Sequence, residues 1–174
     1  GFIGRVEYFL DDNKNANLDS TYGCCYLGRI TDYEVQSTDR FLMGIASPII
    51  KRKIYEKFEK YLDQFLTLIH PSAVVAKTAI FGRGVVVCPL ALVSADVKIM
   101  GFVTINALSS IGHDSVIGKF STVSGHVDIT GKVTVGEEVF FGTGARVVPG
   151  THIGAGAKIG AGSTVMRSVK ENTT

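Results

Sequence analysis

An aliphatic residue or phenylalanine recurs at every sixth position for seventeen hexads: Ile69, Val75, Phe81, Val87, Val93, Ile99, Ile105, Ile111, Ile117, Val123, Ile129, Val135, Phe141, Val147, Ile153, Ile159 and Val165. No insertion interrupts the run. Four residues after each of these the side chain is small or β-branched (Ala73, Ala79, Val85, Ala91, Val97, Val103, Ser109, Ser115, Ser121, Val127 and onward), with Gly, Asp, Asn and Pro crowding the places between. Ordinary strands alternate with period 2 and helices repeat every 3.6 residues, so a strict period of six needs a unit of its own, a short flat strand plus a turn.

Three such units close one triangular coil, with the large apolar residue of each hexad inside the prism and the small one filling its corner. The run makes a little under six coils, and at about 4.8 Å between hydrogen-bonded strands the stack stands roughly 27 Å tall. Each coil buries its apolar ladder only against its neighbours, so several repeats are needed for stability. The period predicts a parallel β-helix over 69–174. It leaves the hand open, because the general crossover rule favours the right-handed form.

Residues 1–68 break the repeat and read as a separate small α/β unit. Val6–Leu10 fits a short strand ending in the turn signal Asp11-Asp12-Asn13, and Phe41–Ala46 fits a second strand. A helix is expected next, with Ser47 as N-cap and Pro48 at the first helical position. Ile50, Ile54, Phe58 and Leu62 form its apolar stripe, and Lys51, Arg52, Lys53, Lys57 and Lys60 form a solvated basic face.

The 174 residues are 45% hydrophobic, enough for a sizeable core, and the net charge of +2 makes no case for nucleic acid. No apolar run approaches the roughly 20 residues of a membrane span, and nothing at the N-terminus reads as a signal peptide, so a cytoplasmic protein is expected. Cys24, Cys25 and Cys88 have neither metal spacing nor an even count and read as free thiols.

The runs Ile117-Gly118, Val135-Gly136, Phe141-Gly142-Thr143-Gly144-Ala145, Ile153-Gly154-Ala155-Gly156-Ala157 and Ile159-Gly160-Ala161-Gly162-Ser163 resemble the hexapeptide repeats of the left-handed β-helix acyltransferases. That family implies a left-handed coil and a homotrimer. Leu68-Ile69-His70-Pro71-Ser72-Ala73, Ile105-Asn106 and Ile111-Gly112-His113-Asp114-Ser115-Val116-Ile117-Gly118 resemble a narrower group. These are the bacterial sugar acetyltransferases that include the sialic acid O-acetyltransferases and the UDP-4-amino-sugar N-acetyltransferases. In that group the N-terminal unit is a Rossmann-like domain holding the nucleotide sugar. Its first strand, glycine loop and helix have no counterpart in front of Phe9-Leu10-Asp11-Asp12, and the usual tail does not follow Thr174. The chain is therefore either a piece of a longer protein, the favoured reading, or a form that has lost half of the nucleotide pocket.

The resemblance implies direct acetyl transfer from acetyl-CoA to an amine or hydroxyl of a sugar, with no metal. Such a transfer needs a base for the acceptor's proton, and neutral imidazole suits physiological pH. Of His70, His113, His126 and His152, His113 lies at an outward turn position with Asp114 directly after it, and a carboxylate there can orient the imidazole and stabilise its charged form. On spacing alone a solvated turn histidine is an equal reading, and the match of Gly112-His113-Asp114 to the group's catalytic run favours the functional one. For acetyl-CoA the resemblance points to Thr122, Thr143 and Ala161, the last through backbone amides, with an amide near Gly142 as oxyanion donor. Thr122 stands where relatives carry histidine. For the acceptor it points to Asp11, Asp12, Ser47 and Asn106. An Asp-Asp pair is equally a turn device, and Asn106 equally a rung of a structural ladder.

The expected activity is N-acetylation of a nucleotide-linked 4-amino-6-deoxy sugar, with sugar O-acetylation as the alternative. Two readings from other classes stand beside it. A γ-type carbonic anhydrase needs three histidines converging on zinc, and His113, His126 and His152, at spacings of 13 and 26, do not follow its pattern. A non-catalytic binding or assembly prism is the other.

Overall fold

The computed structural model describes residues 5–13 and 23–174, which divide into two compact units, one ending at Asp39 and one spanning Arg40–Thr174. In the first, β1 (Tyr8–Leu10) pairs in parallel with β2 (Cys25–Gly28), followed by a single 3-10 turn, Ile30–Asp32. The second strand was expected at 41–46. There, only Phe41 makes a bridge, to Phe65, while Met43 is buried as a side chain. The apolar character of that run thus serves packing and not a ladder.

The larger unit is a three-sided prism of two-residue parallel strands. One face stacks Leu68–Ile69, Val86–Val87, Thr104–Ile105, Thr122–Val123, Phe140–Phe141 and Lys158–Ile159. The second stacks Val74–Val75, Leu92–Val93, Ser110–Ile111, Asp128–Ile129, Arg146–Val147 and Thr164–Val165, and the third Ile80–Phe81 through His152–Ile153. Ser110 pairs with Asp128 and Ile111 with Ile129, so each residue stacks on the one 18 positions later. From Val87 onward the hexad residues are buried at every strand, and the first three are partly covered at the open end.

The corners explain the rest of the pattern. The second turn residue takes the left-handed backbone, with φ of 57–63° at Leu90, Asp96, Phe102, Leu108, Asp114, Phe120, His126, Lys132 and Glu138, and glycine at the later corners. Inside the corners of one coil sit Ser109, Ser115 and Ser121. Each hydroxyl donates to a carbonyl (Ser124, Thr130, Gly136) and accepts an amide (Val127, Val133, Val139). These buried polar groups are satisfied in pairs, which removes the cost of burying them.

Helix α1 (Pro48–Lys57) begins at Ser47 with Pro48 in its first turn, as expected, although the Ser47 hydroxyl makes no cap bond. Its rotation departs from the expected stripe. Pro48, Lys51 and Ile54 face inward, Ile50 is exposed, and Lys51 has no accessible surface. Tyr55 fixes this rotation by meeting Phe102 and Phe120 edge-on, each at 5.3 Å between centroids. Arg52 adds an ion pair to Glu138 and lies over the Phe120 ring. Residues 40–68 accordingly group with the prism.

Candidate active site

His113 and Asp114 form the turn between the strands Ser110–Ile111 and Val116–Ile117. Asp114 tolerates the left-handed φ of 59° that this corner imposes, as a short polar side chain can. The backbone is pinned from both sides, Asp114 N–H donating to Ala95 O at 3.0 Å and Lys132 N–H to His113 O at 2.7 Å. His113 Nδ1 lies 2.8 Å from Asp114 Oδ2. With the Nδ1 proton directed at the carboxylate, Nε2 carries the lone pair. The two side chains are 57% and 50% exposed, so the imidazole stands open to a ligand.

The rungs above and below His113 are Ala95 and Gly131. The ring lies against Gly131, where a β-carbon would meet Nε2 at 2.5 Å. The reading of the sequence missed this glycine, and counting 18 residues on from His113 would have found it.

The corner that carries Leu90, Leu108 and His126 continues as Gly144 and Gly162, where an added β-carbon would meet no atom within 4 Å. Thr143 and Ala161, one residue before, are exposed, and among the described residues their amides donate to no acceptor within the chain. Open space, a bare backbone and two available donors fit the edge of a long polar cofactor such as CoA. Gly142 is buried beside them. Its amide donates to Ile159 O at 2.8 Å, and a β-carbon on it would collide with Ala161 N. Its own amide is thereby engaged in close packing between coils, and the available donor at this turn is the amide of Thr143.

Thr122 departs most from expectation. It is fully buried, its hydroxyl donates to Ala46 O at 2.7 Å and accepts from Lys51 Nζ at 2.7 Å. No surface remains for a cofactor contact.

Among the acceptor-side candidates, Asn106 donates Nδ2–H to Val123 O at 3.1 Å and lies 3.8 Å from Cys88 Sγ, a rung of the ladder on its corner. Asp11 Oδ1 accepts the amide of Asn13 in a turn. Asp12 Oδ1 accepts both the amide and the hydroxyl of Thr31, and the Thr31 amide above all holds the Asp12 carboxyl below its usual range. His70 Nδ1 pairs with Ser72 Oγ at 2.9 Å.

Known proteins resemble this chain in sequence and in fold. Residues 132–167 match the family model of the bacterial transferase hexapeptide (six repeats). A stretch of 47 residues is 38% identical to UDP-N-acetylbacillosamine N-acetyltransferase of Bacillus subtilis (strain 168), covering 27% of this chain and 22% of that protein. The acetyltransferase domain of PglB from Neisseria gonorrhoeae FA1090 superposes with a TM-score of 0.88 at 27% identity, over 97% of this chain and 82% of that one, and that domain has also been solved with acetyl coenzyme A. PerB from Caulobacter crescentus, solved with CoA and GDP-perosamine, superposes at 0.80 with 30% identity, over 87% and 75% of the two chains. This chain, a left-handed parallel β-helix, belongs to the bacterial hexapeptide-repeat sugar acetyltransferases.

Proposed function

We propose that the protein transfers acetyl from acetyl-CoA directly to the amine of a nucleotide-linked 4-amino-6-deoxy sugar, with His113 as general base. The observation that carries this reading is the His113–Asp114 pair, 2.8 Å apart and open to solvent on a prism of the acetyltransferase type. The names of the similar proteins, which act on or bind perosamine and bacillosamine derivatives, support the amino-sugar class.

Bound acetyl-CoA supplies an activated acetyl thioester. The chain's own part is to manage the acceptor's proton. Nε2 of His113 accepts it as the amine attacks, and Asp114 stabilises the imidazolium through Nδ1. The exposed amides of Thr143 and Ala161 hold the cofactor edge. The Ser47 hydroxyl, which makes no cap bond, serves the acceptor, with Asn106, Asp11 and Asp12 assigned to the nucleotide sugar by resemblance.

The proposed assembly is a cytoplasmic homotrimer. Its support is an uncovered apolar patch: Val74 and Leu92 are paired rungs of the second face, and Leu90 and Leu108 flank them on the adjoining corner, each more than 40% exposed. A second copy covers such a patch. Among the described residues no helix is long and apolar enough to cross a membrane.

The test is to mix the protein with acetyl-CoA and a panel of UDP-, GDP- and dTDP-linked 4-amino sugars plus free sialic acid, following release of the CoA thiol. Release with a 4-amino sugar is expected. Release with sialic acid alone makes the protein an O-acetyltransferase, and silence with folded protein rejects the enzyme.

A further inference from the structure

Lys51 is the one fully buried charged-type side chain on α1, while Arg52, Lys53, Glu56 and Lys57 are exposed. Its Nζ donates to Ser121 O at 3.1 Å and to Thr122 Oγ1 at 2.7 Å. The Thr122 hydroxyl proton goes to Ala46 O, so Thr122 can only accept from the lysine, and the direction of all three bonds is settled. An ammonium carries three protons and a neutral amine two. Two acceptors match the two N–H donors of the amine and leave a third proton of the ammonium without a partner.

Among the described residues no carboxylate pairs with Lys51. On the prism, Glu137 and Glu138 turn to Arg52, and Asp63, in the segment after α1, pairs with Arg83. Burial without a counter-ion pushes Lys51 down to about 7.

The bonds join the loop before α1 to the prism. Ala46 and Ser47 lead into α1, and Thr122 opens a strand of the first face, opposite the corner that carries His113. We propose that Lys51 is a positioning residue for the acceptor: as a neutral amine it clamps the Ser47 loop to the first face of the prism, and proton uptake loosens that clamp. The assignment of Ser47 to the acceptor rests on the proposed function. The chemistry of the clamp does not. Once protonated, the amine must leave one proton unsatisfied in a buried site or carry it to water, and reaching water requires α1 to lift. Docking of α1 and loss of the proton are therefore linked.

The experiment has two arms. Lysine 13Cε NMR of the full chain is recorded from pH 6 to 11. One lysine signal is expected to titrate near pH 7 and to be missing from Lys51→Met. In steady-state kinetics with whichever nucleotide sugar is acetylated, Lys51→Met and Thr122→Val are expected to raise the acceptor KM about tenfold at pH 8, the scale of one or two lost buried hydrogen bonds. Both should leave kcat and the acetyl-CoA KM within about twofold. The wild-type acceptor KM should rise as pH falls through about 7, and Lys51→Met should lose that rise. A full set of lysine signals titrating near their ordinary range overturns the proposal, as does an unchanged acceptor KM and pH profile in both variants. If no sugar is acetylated, the proposed function falls, and the NMR arm still decides the state of Lys51.

Discussion

Gly131 lies against the imidazole of His113, so close that a β-carbon on the glycine would stand 2.5 Å from Nε2. The glycine belongs to the next coil, one rung beyond His113, and its φ lies outside the left-handed region. Alanine is therefore compatible with the backbone there, and the steric conflict falls on the ring.

Gly131→Ala is expected to move the imidazole and lower kcat by about 10- to 100-fold, the cost of misplacing a catalytic group by about 1 Å. The melting temperature should change by only a few degrees. Circular-dichroism melts beside steady-state kinetics check this, and a wild-type kcat would show that the ring position does not matter.

The glycine corner gives a second prediction. Gly144 shares its ladder with Leu108 and His126, which already adopt φ of 62° and 59° there. A leucine at 144 thus enters a backbone conformation that this corner accepts, at about 1 kcal/mol relative to glycine. Gly144→Leu should fold and raise the acetyl-CoA KM about tenfold or more by filling the open space, while the acceptor KM stays near wild type.

Lys51 predicts a pH dependence of stability. Folded, it loses its proton near pH 7, against an ordinary lysine value of 10.5. Between these values the unfolded chain binds more protons, so resistance to unfolding rises with pH, by up to about 1.4 kcal/mol per unit. Below pH 7 both states are protonated and the slope from this group vanishes. Chemical denaturation at pH 6, 7, 8 and 9 should show the rise in the wild type and a flatter profile in Lys51→Met.

The prism was legible because its interior repeats. Ile105, Ile111 and Ile117 fall inside whatever surrounds them, and the six-residue period alone sets strand, turn and coil. Ser109, Ser115 and Ser121 were legible as small, though their paired bonds to carbonyl and amide emerge only from the stacking of coils. The orientation of α1 was not legible. A stripe through Ile50 and one through Lys51 and Ile54 are both available on the helix, and the choice is made by Tyr55 against Phe102 and Phe120, residues about fifty and sixty-five positions away. For the same reason Thr122, to which the resemblance pointed as a cofactor contact, is covered by that helix. β2 was passed over because Cys25–Gly28 is short, ends in glycine and takes its register from β1. His113 and Asp114 stood out as neighbours in sequence. Gly131 did not, since it meets His113 only through the 18-residue register.

The most direct test of the account is turnover by His113→Ala at saturating acetyl-CoA and acceptor. Loss of a general base predicts a fall in kcat of about 100- to 10,000-fold with both KM values little changed and the fold intact. Wild-type turnover by that variant would contradict His113 as the base, whatever the substrate.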